Sequence, residues 1–593
     1  MELLYLYIED DGKNIKDCEF NFSSEYHFSY NRKEKFITAT KNSDFIPNFW
    51  GASNVSNITA IIGKNGTGKS NLLEFIIRYY CSPFGLKSKS KKKLLHIYRF
   101  NDELYINRKD IECNFHLRDC HYTQYPLNDH NNQHHTSLLY YSSHIDRNIL
   151  FDLSHVKAKD ISNGGLLRQY AEDRIIVHDS KIQSFADIER LFIEDTFRQI
   201  ELFIYSKTSY FKDLNLPESL RIIFKEGANK LNTESSLYNK LYIDKGLSEL
   251  SFLEHIQNRF LYHLFYNQSY INTLQTDDEM SFEDFIKKTY ANKLYFSLLE
   301  LDAKNSIIFE NYDKQLGLRS DYVFNFSIKR ENLSFNFKSG LYEYYFKGEV
   351  HQIPYTLEHF RVLHSSITFE WIGASSGELE YFNLLSRIYC HLDKNVIIVP
   401  AKQMRITKDP KYKRNVILLL DEPENAFHPE WQRLFLENLI SFLKNGLADF
   451  SFQVLIASHS PIIVSDFPKN NIVFLNKNED GTCQVVDSIS RDNTFGANIQ
   501  TLYRNSFFLD GLPIGEFAKK KINKLFDELE HGDTRSTTWQ EIQLVGEPLL
   551  RDQLIKEYKQ IKDLPPIVDQ RIAQLEEEVR ILKNRLNDKN RTQ

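Results

Sequence analysis

Residues 57–80 read NITAIIGKNGTGKSNLLEFIIRYY, and this stretch decides the fold. Its first six residues, NITAII, are mostly apolar and β-branched, which predicts a buried parallel strand. The next eight, GKNGTGKS, match the phosphate-loop pattern G-x-x-x-x-G-K-[ST] at every fixed position. Gly63, Gly66 and Gly68 let the backbone turn tightly, so that the N–H groups of a loop including Lys64, Asn65 and Thr67 face phosphate oxygens. Lys69 is placed to reach β/γ-phosphates, and the Ser70 hydroxyl to ligate Mg²⁺. The run NLLEFIIRYY is apolar at helical spacing, which aims the positive end of a helix at the same phosphates. Strand, glycine loop and helix together predict ATP and Mg²⁺ as cofactors.

The rest of such a site lies far downstream. Residues 415–420 (NVILLL) predict a second buried strand, ending in Asp421-Glu422. A carboxylate at a strand end can hold Mg²⁺ through water, which gives Asp421 the metal role. The next carboxylate, Glu422, can orient the attacking water as a base. Residues 374–378 read ASSGE and precede the amphipathic run LEYFNLLSRIYCHL. After the predicted strand FQVLIA comes SHS, with His459.

These motifs, in this order, resemble the nucleotide-binding heads of ABC-type ATPases. ASSGE resembles their LSGGQ signature, with Ser376 for the first glycine and Glu378 for glutamine. The resemblance implies that Ser375, Ser376, Gly377 and Glu378 cap ATP bound to a second copy, and that His459 is a switch histidine touching the γ-phosphate. Residues 422–432, EPENAFHPEWQ, look like the EPExxLHPxxQ run of the soluble SMC-, RecF- and OLD-like class, with Phe427 for leucine. Residues 494–522 and 545–554 resemble the ATPase subunits (PtuA) of Septu-type anti-phage systems, which also accompany some retrons. That resemblance implies an antiviral defence role, a homodimer or higher homo-oligomer, a separate HNH-type nuclease subunit and, beside retrons, a reverse transcriptase with its RNA/DNA product. The competing reading is a RecF/SMC-like repair or chromosome-maintenance ATPase that binds DNA directly. The glutamine that senses Mg²⁺ in ABC heads has no clear counterpart; Gln124 and Ser142 are the two candidates.

The expected fold class is α/β: a mixed-sheet ABC head with a flanking antiparallel sheet, a large helical insertion and a helical C-terminal region. The head's N-terminal lobe spans 1–150. Short strands are expected at ELLYLYI, CEFNF, YHFSY and FITAT, and YRF, ELYIN and SLLYYSS are expected in the flanking antiparallel sheet. Helical periodicity marks an insertion over 151–320, with the runs 185–205 and 252–266. The second lobe spans 321–490, and 491–593 form a helical region for self-association or partner binding. Long SMC-style arms are not expected, since no heptads persist.

The net charge of -6 argues against a globally basic nucleic-acid coat while leaving room for local nucleic-acid contacts. Six scattered cysteines show no disulfide-rich spacing, which predicts reduced thiols and a cytoplasmic protein. No apolar run approaches the ~18 residues that span a bilayer. Basic clusters at Lys87–Lys93 and Lys402–Arg414 read as solvated loops. Cys113, His116, Cys120 and His121 fit no common zinc spacing, and His130, His134 and His135 read as surface residues. Ile572, Leu575, Val579, Leu582 and Leu586 predict an amphipathic terminal helix after Pro565-Pro566.

Overall fold

The computed structural model describes residues 2–80, 94–100, 103–109, 114–115, 122–124, 136–144, 158–177, 185–205, 216–217, 219–224, 307–310, 324–329, 367–392, 414–487, 491–505 and 514–562. Its contacts divide the chain into two units, Met1–Phe508 and Leu509–Gln593.

A seven-stranded sheet forms the centre of the first unit. Its order is Ala158–Asp160, Thr136–Ser142, Arg414–Asp421, Phe450–Ser458, Val55–Gly63, Ile472–Lys477 and Cys483–Val486. Every neighbouring pair is parallel except the last. The three strands expected from their apolar runs are therefore adjacent and parallel. Their side chains alternate between two cores. Ile58, Ala60 and Ile62 enter one core and Ile61 the other; Val416, Leu418 and Leu420 oppose Ile417 and Leu419 in the same way. A strand buried on both faces needs apolar residues at every position, which is why these strands read as unbroken runs. The helices Ser376–Leu392 and Pro429–Gly446 fill the first core. The helix Lys69–Tyr80 and the strands Glu2–Asp10 and Lys16–Asn21 fill the second.

The N-terminal strands fall where expected, at Glu2–Asp10, Lys16–Asn21, Tyr26–Asn31 and Phe36–Lys41. One strand does not. SLLYYSS belongs to the central sheet, parallel to the acid strand, with Ser142 opposite Asp421. Leu138, Leu139, Tyr140 and Tyr141 are all buried. Such a run requires a layer on each face, and the central sheet supplies both.

The insertion also departs from expectation. The helices Asn163–Val177 and Phe185–Tyr205 are present. The strands Ser219–Phe224 and Ile307–Glu310 are present too, in an antiparallel sheet with Phe324–Lys329 and Ile367–Ile372. This sheet crosses the boundary expected at residue 320. The run 252–266 lies outside the described residues.

A buried ion pair ties the insertion to the helix that follows ASSGE. Arg387 has no exposed surface, and its guanidinium bonds Asp195 Oδ1 at 2.9 Å, Asp195 Oδ2 at 2.5 Å, the Ile161 carbonyl at 3.0 Å and Asn163 Oδ1 at 2.7 Å. Burial opposes the Asp195 charge, but Arg387 and Arg198 outweigh it and hold the carboxyl below its usual value. Removing one partner leaves the other charge buried and unpaired. Arg387→Ala is expected to destabilise this unit by about 3–5 kcal/mol, read from its chemical unfolding midpoint; an unchanged midpoint would show the pair to be dispensable.

The second unit has the helices Glu516–Glu530, Thr538–Gln543 and Pro548–Ile561 around Leu525, Leu529, Ile542, Val545 and Leu554. The stripe Ile572–Leu586, the cluster Lys87–Lys93, the basic run 402–413, the Cys113–His121 set and His130–His135 lie outside the described residues. Among the described residues, no helix is long and apolar enough to cross a membrane.

Candidate active site

Parallel strands end at one edge of their sheet, and open parallel sheets bind ligands at that edge. Here the edge carries Gly63, Asp421, Ser458 and Ser142, each the last residue of its strand. The strand Phe450–Ser458 lies between the phosphate-loop strand and the strand Arg414–Asp421. His459 is thereby set between the loop and the carboxylates.

The loop is closed by its own hydrogen bonds. Thr67 Oγ1 donates to the Lys64 carbonyl at 2.9 Å. Lys69 Nζ donates to the carbonyls of Gly63 at 3.1 Å and Lys64 at 3.4 Å. Gly68 has φ +105°, a region closed to most side chains, and a Cβ there would press on Asn14 at 3.1 Å. Asn14 braces the loop from outside, donating to the Gly66 carbonyl at 3.2 Å while accepting from Asn71 at 2.6 Å. Lys64, Asn65, Gly66 and Ser70 are exposed; Lys69 is buried. Burial pulls the Lys69 ammonium down to about 8, against the pull of Glu422, Asp421 and Glu424.

Lys69 Nζ lies 2.5 Å from His459 Nε2, which in turn lies 3.1 Å from Glu422 Oε1. The other carboxylate oxygen, Oε2, is 3.2 Å from His144 Nε2 and accepts from Asn425 Nδ2 at 2.9 Å. Contact with His459 foremost, then with Asn425 and His144, holds the Glu422 carboxyl well below the usual carboxylate range despite partial burial. It is ionised at any physiological pH. Glu422 also has φ +48°, an uncommon conformation for a residue with a side chain. Its N–H donates to the Ala457 carbonyl at 2.9 Å, which pins that turn.

Asp421 is buried, and Tyr140 Oη donates to its Oδ2 at 3.1 Å. Among the described residues, Oδ1 is buried without a hydrogen-bond partner. Ser70 lies near enough to favour the charged carboxylate, but burial dominates and raises the Asp421 pKa. A buried carboxylate oxygen with no donor, beside a hydroxyl at a helix start, fits a hard divalent cation. Ser70 and Asp421 are the residues that could hold Mg²⁺.

Glu424 is a further buried acid. Its Oε1 accepts from Ser458 Oγ at 2.5 Å and from the His459 N–H at 3.0 Å, fixing the turn that carries His459.

At ASSGE, Ser375 and Ser376 are exposed while Gly377 and Glu378 are buried. The Glu378 carboxylate accepts from the Ser375 N–H at 2.6 Å, and Ser375 Oγ accepts from the Glu378 N–H at 3.3 Å. This reciprocal pair is a capping box. It starts the helix Ser376–Leu392 and turns Glu378 inward. A Cβ on Gly377 would meet the Ala426 carbonyl at 2.9 Å. The ASSGE turn therefore packs directly on the turn that follows Glu422. That turn ends where Pro429 and the His428 cap open the helix Pro429–Gly446.

Residues 388–464 match the AAA ATPase domain family. This match supports an ATPase domain over that stretch. The match includes Asp421, Glu422 and His459, and an ATPase domain has ATP-binding and hydrolysing function. Gly63–Ser70 lie outside the matched stretch, yet the sheet brings them to the same edge.

Four residues of the site were not read from the sequence: Tyr140, His144, Asn425 and Glu424. Tyr140, His144 and Glu424 reach their partners across strands or turns distant in the chain, and Asn425 reaches Glu422 within one turn. Of the two candidates for the Mg²⁺-sensing position, Ser142 lies opposite Asp421, while Gln124 pairs with Ile106 in the N-terminal sheet.

Proposed function

We propose that this chain is the ATP-hydrolysing subunit of an anti-phage complex, that it closes as an ABC-type dimer over ATP and Mg²⁺, and that it controls or works with a separate nuclease. The observation that carries the ATP chemistry is the meeting of Lys69, His459, Glu422 and Asp421 at one sheet edge. The loop amides and Lys69 bind the phosphates. Ser70 and Asp421 would hold Mg²⁺, which when bound would neutralise charge on the phosphate oxygens. Glu422, ionised and pinned, orients the water for in-line attack. Little covalent chemistry is asked of the protein, so positioning and charge do the catalysis.

The dimer reading rests on the exposed Ser375 and Ser376 at a helix N-terminus, a place suited to a phosphate brought by a second copy. Mixing Lys69→Ala chains with Ser375→Arg chains is expected to restore turnover to heterodimers, because one intact composite site survives. Heterodimers shown to form yet remaining inactive would contradict a shared site.

The defence role and the nuclease partner rest on the resemblance carried by residues 494–522 and 545–554. Co-purification with an HNH-type nuclease tests them, beside a nuclease assay of this chain alone. Metal-dependent cleavage by the chain alone, unaffected by Lys69→Ala, would contradict the division of labour.

A further inference from the structure

Glu422 is gripped from both sides, and one of the two imidazoles has no assigned role. His459 faces Oε1. His144 faces Oε2 from a different strand end. The His144 side chain is 56% exposed, so it contributes little packing. Among the described residues, its Nε2 lies against Glu422 Oε2 and beside Asn425 Nδ2, and with Nε2 protonated both nitrogens donate to that one oxygen.

The backbone that carries His144 is held unusually well for an exposed residue. The His144 N–H donates to Ser142 Oγ at 3.2 Å. The neighbouring Ser143 carbonyl accepts from Asn163 Nδ2 at 2.6 Å, and Ser143 Oγ lies 3.5 Å from the Glu422 carbonyl. Asn163 Oδ1 accepts from Arg387, whose guanidinium is locked by Asp195. A continuous run of hydrogen bonds thus leads from the buried ion pair to the residue before His144. An exposed side chain on a braced backbone, aimed at a reactive carboxylate, is the arrangement that fixes a catalytic group's orientation.

We propose that His144 is a positioning residue: its Nε2 donates to Glu422 Oε2 and sets the carboxylate in the orientation that aligns the attacking water. This rests on the reading of Glu422 given above. A carboxylate freed on one side still carries its charge and still allows nucleotide binding, but it samples orientations that do not align water. The effect therefore belongs in kcat and not in KM.

The test is steady-state ATP hydrolysis by the full chain, with kcat and KM measured for His144→Ala, His144→Gln, Glu422→Gln and the double variant His144→Ala/Glu422→Gln. His144→Ala is expected to lower kcat by about 10- to 100-fold with KM nearly unchanged. His144→Gln is expected to recover most of that loss, because the glutamine amide nitrogen reaches about as far as Nε2 and donates an N–H. In the Glu422→Gln background, His144→Ala is expected to add nothing, since the two residues act as one unit. A parental kcat in His144→Ala, or a loss confined to KM, or no recovery in His144→Gln, would overturn the proposal. If Glu422→Gln is stalled while His144→Ala turns over normally, the positioning role falls and the Glu422 role stands. If Glu422→Gln itself turns over at the parental rate, both fall.

Discussion

Lys69→Ala is expected to weaken ATP binding by about 100-fold, and to remove turnover with it. Lys69 is the buried cation of the phosphate loop, held at 3.1 Å from the Gly63 carbonyl and 2.5 Å from His459 Nε2. A charge-assisted hydrogen bond contributes about 1.5–3 kcal/mol, and loss of one from a buried site costs about 10- to 100-fold in affinity. Here the loss is at the upper end, because Asp421, Glu422 and Glu424 remain to repel the phosphates once their counter-charge has gone. The same lysine gives ATP binding a pH dependence. In the free chain, burial pulls its pKa to about 8. Bound phosphates favour the charged form and raise that value. The bound state then holds more protons than the free state above about pH 8. Affinity is therefore full below pH 8 and falls above it, by up to about tenfold per pH unit until the bound-state value is passed. Isothermal titration at pH 7, 8 and 9 checks this, and proton uptake on binding at pH 9 is its signature. Affinity that rises from pH 7 to pH 9 would show that Lys69 does not titrate in this way.

Glu422→Gln is expected to bind ATP and fail to hydrolyse it. Glutamine keeps the shape of the side chain and can still meet Asn425 and His144. It removes the negative charge that His459, Asn425 and His144 now stabilise. One carboxylate fewer beside the phosphates leaves binding equal or tighter. The water loses its charged acceptor, and turnover is expected to fall by about 10²- to 10⁴-fold. Rapid-quench measurement of a single turnover separates this from slow product release. A parental rate of bond cleavage would remove Glu422 from the reaction.

Much of this site could be read from the chain because its chemistry is packed into contiguous motifs. Residues 63–70 hold loop, lysine and hydroxyl in eight positions, and Asp421-Glu422 follow a strand too apolar to be anything but buried. His459 follows another such strand. What stayed hidden depends on which strands are neighbours. Tyr140 meets Asp421, and His144 meets Glu422, only because Thr136–Ser142 lies in register beside Arg414–Asp421. The run LLYY contains that information: four buried positions in a row do not suit a sheet with one wet face. Read as a flanking antiparallel strand, it pointed His144 nowhere. Ser375 and Glu378 carry the S-x-x-E spacing of a capping box, so the inward turn of Glu378 was also legible in principle. The insertion was read as helical from 185–205, a run with strong helical periodicity that does form one helix. Its strands Ser219–Phe224 and Ile307–Glu310 are short, and their partners lie far along the chain. Strand pairing over such separations leaves no local pattern to read.

The most direct test is a paired assay of ATP occupancy and phosphate release on the full chain, its Lys69→Ala variant and its Glu422→Gln variant under identical conditions. One site that binds through the phosphate loop and cleaves through the acid strand predicts that the two variants separate. Lys69→Ala loses both occupancy and release, and Glu422→Gln keeps occupancy while release stops. Variants that fail together at binding, or that both release phosphate at the parental rate, would contradict a single ATP-hydrolysing site at this sheet edge.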